Sequence, residues 1–318
     1  MSEPSPFELL QQSSAAFLLS RSLQLVAETG VADALGDDPA TASALAKATG
    51  LHVQALNRVL KFLAAYGIFE NRDGGFAHSP ASRLLRTDDP RSLRSLMRMM
   101  GFPVIWKAAQ NLDQAMKTGQ VNPDEFWSYL ADNPNASRIF NNAMKAKADA
   151  QVAATVAAYD FSHLDLIGDI GGGRGHLLQA ILAASPASRG VLFDLPHVIE
   201  QASGMASERL TLRAGDFFRD ELPACDAYVL MDVIHDWPDE EARAILKAVR
   251  RAAPNHAKLL LIEAVMPNEP GPNWTKTLDI LMLGLFGGSQ RTSIEYHTLL
   301  SETGFRLERI VEIGGGFS

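Results

Sequence analysis

A glycine run, three carboxylates and one histidine carry the residue types that could do chemistry in this chain. The run Asp169-Ile-Gly-Gly-Gly-Arg-Gly-His follows a short apolar stretch that begins at Leu164, and Leu177-Leu178-Gln179-Ala180-Ile181-Leu182 comes after it. That order predicts a strand, a tight turn and a helix. Glycines at Gly171, Gly173 and Gly175 remove the Cβ where a ligand must approach the backbone. A dinucleotide loop would read G-x-G-x-x-G and aim its helix N-terminus at a pyrophosphate. Counted from Gly171, the sixth position is His176, so that pattern fails. Asp169 at the strand end would repel a phosphate and suits a cationic ligand. S-adenosylmethionine fits, having no phosphate but a sulfonium and an ammonium. A glycine turn that only packs strand on helix would use the same residues.

Two further acids stand at corresponding places. Val191-Leu192-Phe193-Asp194 reads as a second strand ending in a carboxylate, where doubly wound sheets hold ribose hydroxyls. Arg209-Leu210-Thr211-Leu212-Arg213 reads as a third, and Asp216 follows it within Gly215-Asp216-Phe217-Phe218, placed to face an adenine amino group. Each acid alone would serve as a loop carboxylate or helix cap. Three in succession, each just past a strand, mark the ligand edge of an open α/β sheet. Asp226-Ala227-Tyr228-Val229-Leu230-Met231 reads as the fourth strand and leads into Asp232-Val233-Ile234-His235-Asp236-Trp237. Of eight histidines, His235 alone falls at such a strand end. Neutral imidazole is the natural base near pH 7 and could take a phenol's proton as that oxygen attacks a sulfonium methyl. A histidine bonded into the following turn is the plainer alternative.

The elements that must position these groups fall in two parts. Residues 1–95 read as helices with one hairpin. A long amphipathic segment ends near Gly30, an Ala-rich helix stops at Gly50, and Val53, Leu56, Val59, Leu60 and Leu63 recur at helical spacing up to Gly67. Asp73-Gly74 between apolar flanks signals a hairpin turn. Helix, helix, hairpin is a winged-helix-like layout, so DNA binding has to be weighed. Nine Lys/Arg against ten Asp/Glu in that part make a poor phosphate surface, and packing or dimerisation is the better expectation. Residues 96–160 read as helical and rich in Met and aromatics, a segment suited to an apolar substrate wall. From Leu164 on, strands alternate with helices, including a further strand over residues 257–263. Pro238 and Asp239-Glu240-Glu241 open a helix that buries Ala242, Ile245, Leu246 and Val249. The fold class expected is therefore α/β, a Rossmann-like doubly wound sheet over residues 96–318 behind a mostly helical N-terminal domain.

With 318 residues, 47% hydrophobic and 21% charged, the chain has the composition of an ordinary globular protein. A net charge of −8 speaks against nucleic acid or an anionic membrane as partner. Cys225 is the single cysteine, so no intrachain disulfide can form. No apolar run approaches a membrane span, and Met1-Ser2-Glu3-Pro4 lacks the layout of a leader, so a cytoplasmic location is expected.

At this point the chain resembles the small-molecule O-methyltransferases of the plant caffeate and bacterial antibiotic-biosynthesis type, a class I S-adenosylmethionine-dependent family. The likeness runs from about residue 15 to the end. It rests on the Asp169 run, on Phe193-Asp194-Leu195-Pro196-His197-Val198, on Gly215-Asp216-Phe217-Phe218, on His235-Asp236-Trp237 and on Gly287-Gly288-Ser289-Gln290-Arg291-Thr292. The resemblance implies a winged-helix-like dimerisation domain, hence a homodimer, and a methyltransferase domain. It implies S-adenosylmethionine on Asp169, Gly171, Gly173, Gly175, Asp194, Leu195, Asp216, Phe217 and Met231. It also implies catalysis by His235 with Asp236 and Gln290, no metal, and an aromatic acceptor against Trp106, Phe140, Met144, Met282 and Phe286. Three departures stand out. Gln290 occupies the place of a glutamate that orients the base in the family. Met231 replaces a lysine found near the adenine in the plant enzymes. The chain stops at Gly314-Gly315-Gly316-Phe317-Ser318, where the family continues through its last strand. Two other functions stay open on the sequence. One is a cofactor-binding relative that hydroxylates, decarboxylates or cyclises; the other is a winged-helix regulator that senses a ligand.

Overall fold

The computed structural model describes residues 4–314 and Phe317, apart from Asp73 and Pro123. Up to Lys107, together with Phe126–Ala146, the chain forms one compact unit; Ala108–Glu125 and Lys147–Ser318 form a second. Among the described residues no helix is long and apolar enough to cross a membrane.

The first unit opens on the helix Pro6–Thr29. The Ser5 hydroxyl accepts from the Glu8 N–H, and the Glu8 carboxylate accepts from the Ser5 N–H, so two orphan donors are satisfied at once. Gly30, at φ 72°, ends the helix. Val26 and Val31 join Leu45, Leu56, Leu60, Leu63, Phe69 and Phe76 in one core. Elsewhere the same helix is apolar but open: Phe7 is 75% exposed and Leu10 72%. Helices Ala42–Thr49 and Val53–Ala65 follow, then the antiparallel hairpin β1 (Phe69–Arg72) and β2 (Gly75–His78). The helix, helix, hairpin order is the expected one; Asp73 of the expected turn lies outside the described residues.

The unit does not end at the boundary expected at residue 95. Segments 96–107 and 126–146 pack with it. Polar ties explain part of this: the Trp106 indole donates to Gln24 Oε1 at 3.1 Å, and Arg98 pairs with Glu28 at 2.6 Å. Such ties are invisible to a reading by periodicity.

The second unit is built on five parallel strands: β3 (Leu166–Ile170), β4 (Arg189–Asp194), β5 (Leu210–Ala214), β6 (Ala227–Met231) and β7 (Lys258–Ile262). Their order is β5-β4-β3-β6-β7. Alternation along the strands feeds two cores. Phe193, Tyr228 and Leu230 face one, with Ile245, Leu246 and Val249 of the helix Asp239–Ala252. Leu192, Ala227 and Val229 face the other, with Leu177, Leu178 and Ile181 of the helix His176–Ala184. Both faces are covered, as a parallel sheet requires. The chain leaves β3 for β4 on one side, and β6 pairs on the other, so a crevice opens at the carboxyl ends. Two short strands, β8 (Val265–Met266) and β9 (Arg291–Thr292), pair beside it.

Candidate active site

The loop after β3 is shaped by glycine. Gly171, Gly173 and Gly175 all have positive φ, at 69°, 58° and 74°. The tightest position is Gly172, which the pattern left unmarked: a Cβ there would collide with the Asp169 carboxyl group and with Leu192. Asp169 thus lies under the loop, 1% exposed, and neither carboxylate oxygen has a hydrogen-bond partner. Burial, with Asp194 nearby, pushes its carboxyl up to about 7. An orphaned acid in a cradle without side chains is consistent with a cationic ligand. Asp194, at the end of β4, accepts from the Gly173 N–H at 2.8 Å and from the Leu195 N–H at 2.7 Å. Those two bonds fix its carboxylate while leaving lone pairs for ribose hydroxyls. Burial nonetheless raises its pKa. Asp216 accepts from the Phe218 N–H at 2.9 Å, which holds its loop beyond β5. Phe217 and Phe218 meet Trp237 edge to face, at 6.0 and 4.8 Å. Leu195 is 42% exposed, and Met231 closes β6 half-buried. These residues fit the group that the sequence implies.

His235 sits in the single turn Ile234–Asp236 after β6, 6% exposed. Its Nδ1 lies 2.7 Å from Glu263 Oε2, and its Nε2 lies 3.3 Å from Asp236 Oδ1. Glu263 is 2% exposed, and its Oε1 accepts from the Val233 and Ile234 N–H groups at 3.1 and 2.7 Å. One buried carboxylate therefore clamps both the turn and the ring. Burial disfavours the charged imidazole, but Glu263 and Asp236 outweigh it and push His235 up to about 10. Asp232 Oδ1 stands 3.8 Å from Nδ1, and its Oδ2 pairs with Lys147 Nζ at 3.0 Å. Asp232, His235 and Glu263 are close enough together to hold a metal ion. Two backbone N–H groups occupy Glu263 Oε1 and the lysine ammonium occupies Asp232 Oδ2, while Asp232 Oδ1 has no hydrogen-bond partner.

The loop over residues 287–292 braces this turn. Ser289 N–H donates to the His235 carbonyl at 3.0 Å, and a Cβ on Gly288 would collide with that carbonyl. Arg291, 2% exposed, donates to the Ile234 and Trp237 carbonyls at 3.1 and 2.8 Å and to Asp239. Gln290 departs from expectation. Its backbone N–H donates to Asp279, while its side-chain amide is buried with neither atom paired. No hydrogen bond joins it to His235, because Glu263 already holds Nδ1 and Asp236 faces Nε2.

The residues expected at the acceptor divide between the units. Phe140 packs edge to face on Phe126 and Trp127 in the first, where Met144 is half-buried and Trp106 is tied to Gln24. Met282 and Phe286 lie in the second, at the end of the helix Trp274–Leu285 just before the bracing loop. Glu263, Lys147, Asp232 and Arg291 were missed. Glu263 had a signal, since it ends the run expected to be a further strand, on the ligand edge.

A crevice at the carboxyl ends of a doubly wound sheet, with an acid beyond β4 and a clamped histidine beyond β6, defines a class I methyltransferase. This chain belongs to the O-methyltransferase family: the O-methyltransferase domain matches residues 108–306, and the O-methyltransferase dimerisation domain matches residues 11–88. A phenazine O-methyltransferase of Lysobacter antibioticus is 38% identical over 98% of this chain and 94% of its own. The mitomycin biosynthesis 6-O-methyltransferase of Streptomyces lavendulae is 34% identical over 93% and 88%. Among solved structures, an O-methyltransferase from neocarzinostatin biosynthesis is bound to S-adenosylmethionine and 2-hydroxy-5-methyl naphthoic acid. It is 30% identical, covers 90% of each chain and has a TM-score of 0.74. The protein is an S-adenosylmethionine-dependent O-methyltransferase. Hydroxylation, decarboxylation or cyclisation gains no support from these relatives.

Proposed function

We propose that the acceptor is a phenolic hydroxyl of a small aromatic molecule and that His235 is the general base. The buried contact of His235 Nδ1 with Glu263 Oε2, at 2.7 Å, carries this reading. Glu263 accepts the Nδ1 proton, so Nε2 is the nitrogen that gives up its proton and takes one from the acceptor. When bound, S-adenosylmethionine supplies a methyl group made electrophilic by its sulfonium. Asp169, Asp194 and Asp216, with Gly171, Gly173, Gly175, Leu195, Phe217 and Met231, hold that cofactor in this reading. Asp236 flanks Nε2 and steadies the proton as it arrives. A ring with a pKa near that of a phenol exchanges a proton with it at little cost. The relatives support an aromatic acceptor, since one acts on a phenazine and another holds a hydroxynaphthoic acid. Within the second unit, Met282 and Phe286 at the end of the helix Trp274–Leu285 are the proposed acceptor contacts.

The open apolar residues of the helix Pro6–Thr29 support a homodimer, since such a surface is rarely left to water. The net negative charge supports an enzyme without nucleic-acid partners, and the single cysteine suits a reducing cytoplasm. The deciding experiment is transfer of labelled methyl to a panel of phenols by wild type and His235→Ala. Turnover should fall roughly 100-fold or more in the variant, with cofactor affinity retained. Wild-type turnover in the variant would remove His235 from the mechanism.

A further inference from the structure

The geometry points to Lys147 and Asp232 as positioning residues that set the proton affinity of His235, with the lysine holding a second carboxylate away from the ring. This inference rests on His235 being the base.

Asp232 is the first residue after β6, and among the described residues it is the only non-glycine with a positive φ, at 54°. Aspartate tolerates that region better than most residues, but glycine would adopt it more easily. Strain of this kind gathers where a side chain is needed. The Asp232 N–H donates to the Ile262 carbonyl at 3.0 Å, so the end of β7 fixes the residue's place. Its Oδ1 is buried without a hydrogen-bond partner, 3.8 Å from His235 Nδ1. That nitrogen carries a single proton, and Glu263 Oε2 already takes it at 2.7 Å. Two carboxylates thus face one N–H.

Left uncompensated, the second carboxylate would raise the ring's proton affinity still further and hold more tightly the proton that a base must lose between turnovers. Lys147 supplies the compensating charge from the helix Pro134–Ala158, at 3.0 Å from Asp232 Oδ2. The Phe317 ring lies 5.1 Å from the same ammonium. The other charged and titratable groups around the turn are otherwise engaged. Asp236 flanks Nε2, on the opposite side of the ring. Arg291 spends its guanidinium on backbone carbonyls and Asp239. Tyr296 is fully buried, which holds its hydroxyl neutral. The lysine is therefore the cation that acts on a carboxylate facing the base.

Kinetics of Lys147→Met, Asp232→Asn and the double variant, from about pH 7 to about pH 11 with an accepted phenol, test this. Lys147→Met should move the rising limb of kcat/KM upward by about one pH unit, roughly a tenfold loss near neutral pH. Asp232→Asn should move it downward. In the double variant, loss of the lysine should shift the limb far less than it does alone, because the lysine acts through Asp232. Lys147→Arg should keep the limb where it is in wild type. Rates that fall equally at every pH, with the limb unmoved, would overturn the proposal and leave a structural ion pair. Wild-type turnover in His235→Ala would instead defeat the base assignment on which it rests. Should Lys147→Met fail to fold, the His235 ring resonance in Asp232→Asn decides by NMR: its titration midpoint should fall, and an unchanged midpoint refutes the inference.

Discussion

Glu263→Gln removes one charge and no volume, and its effect can be worked from the contacts. The glutamine oxygen would stay where Oε1 is, since the Val233 and Ile234 N–H groups point at it and need an acceptor. The amide NH2 would then face His235 Nδ1. Two donors cannot share that contact, so the ring must move its proton to Nε2. The nitrogen meant to accept a proton would already carry one. Loss of a hydrogen bond to a charged partner costs about 1.5–3 kcal/mol, or about 10- to 150-fold in rate, and the wrong tautomer adds to this. Initial rates of labelled methyl transfer at saturating cofactor measure it directly.

The pH dependence supplies a second sign. Burial disfavours the charged ring, and the carboxylates reverse that in wild type. With Glu263 neutralised, burial prevails more, the pKa falls, and the rising limb of kcat/KM should move to lower pH. Stability follows the same linkage. A histidine raised above its unfolded value contributes stability that is fully present below about 6.5 and lost as pH rises through about 10. Urea unfolding at about pH 7 and about pH 10 should show that alkaline loss in wild type and less of it in the variant. A variant with wild-type rate and an unmoved limb would refute the reasoning, because then Glu263 would set neither the tautomer nor the charge of the base.

Other substitutions probe the remaining parts. Asp194→Ala strips the Gly173 and Leu195 N–H groups of their acceptor, and calorimetry should show cofactor affinity down by about tenfold or more; unchanged affinity would remove Asp194 from the cofactor site. Gly172→Ala drives a Cβ into Asp169 and Leu192, and should cost about 1–3 kcal/mol of stability, read as a lowered Tm. Gln290→Glu puts a carboxylate at a buried position whose side chain has no partners, so destabilisation should grow as pH rises past the ordinary carboxylate range. A gain in alkaline turnover would instead mean that this side chain reaches the base.

What the sequence disclosed about the site follows from how each residue acts. Asp169, Asp194 and Asp216 were legible because strand ends in a parallel sheet share one edge, so position along the chain fixes position in space. His235 was legible for the same reason. Glu263 obeys that rule too, since it directly follows β7. The bracing loop shows a limit of motif reading: the resemblance located it, but the contact with the His235 turn runs through backbone atoms and Arg291, not through Gln290. The boundary at residue 95 was not legible, because ties such as Trp106 to Gln24 join helices whose periodicity looks alike on either side. Lys147 lay beyond reach for a stronger reason. Its helix places a residue on every side within each turn, and only packing decides which one meets Asp232. Charge can therefore reach the histidine turn from an element that the motif does not contain. Here Met231 takes the place of a lysine of the plant enzymes, and an ammonium reaches the neighbouring residue from the helix Pro134–Ala158.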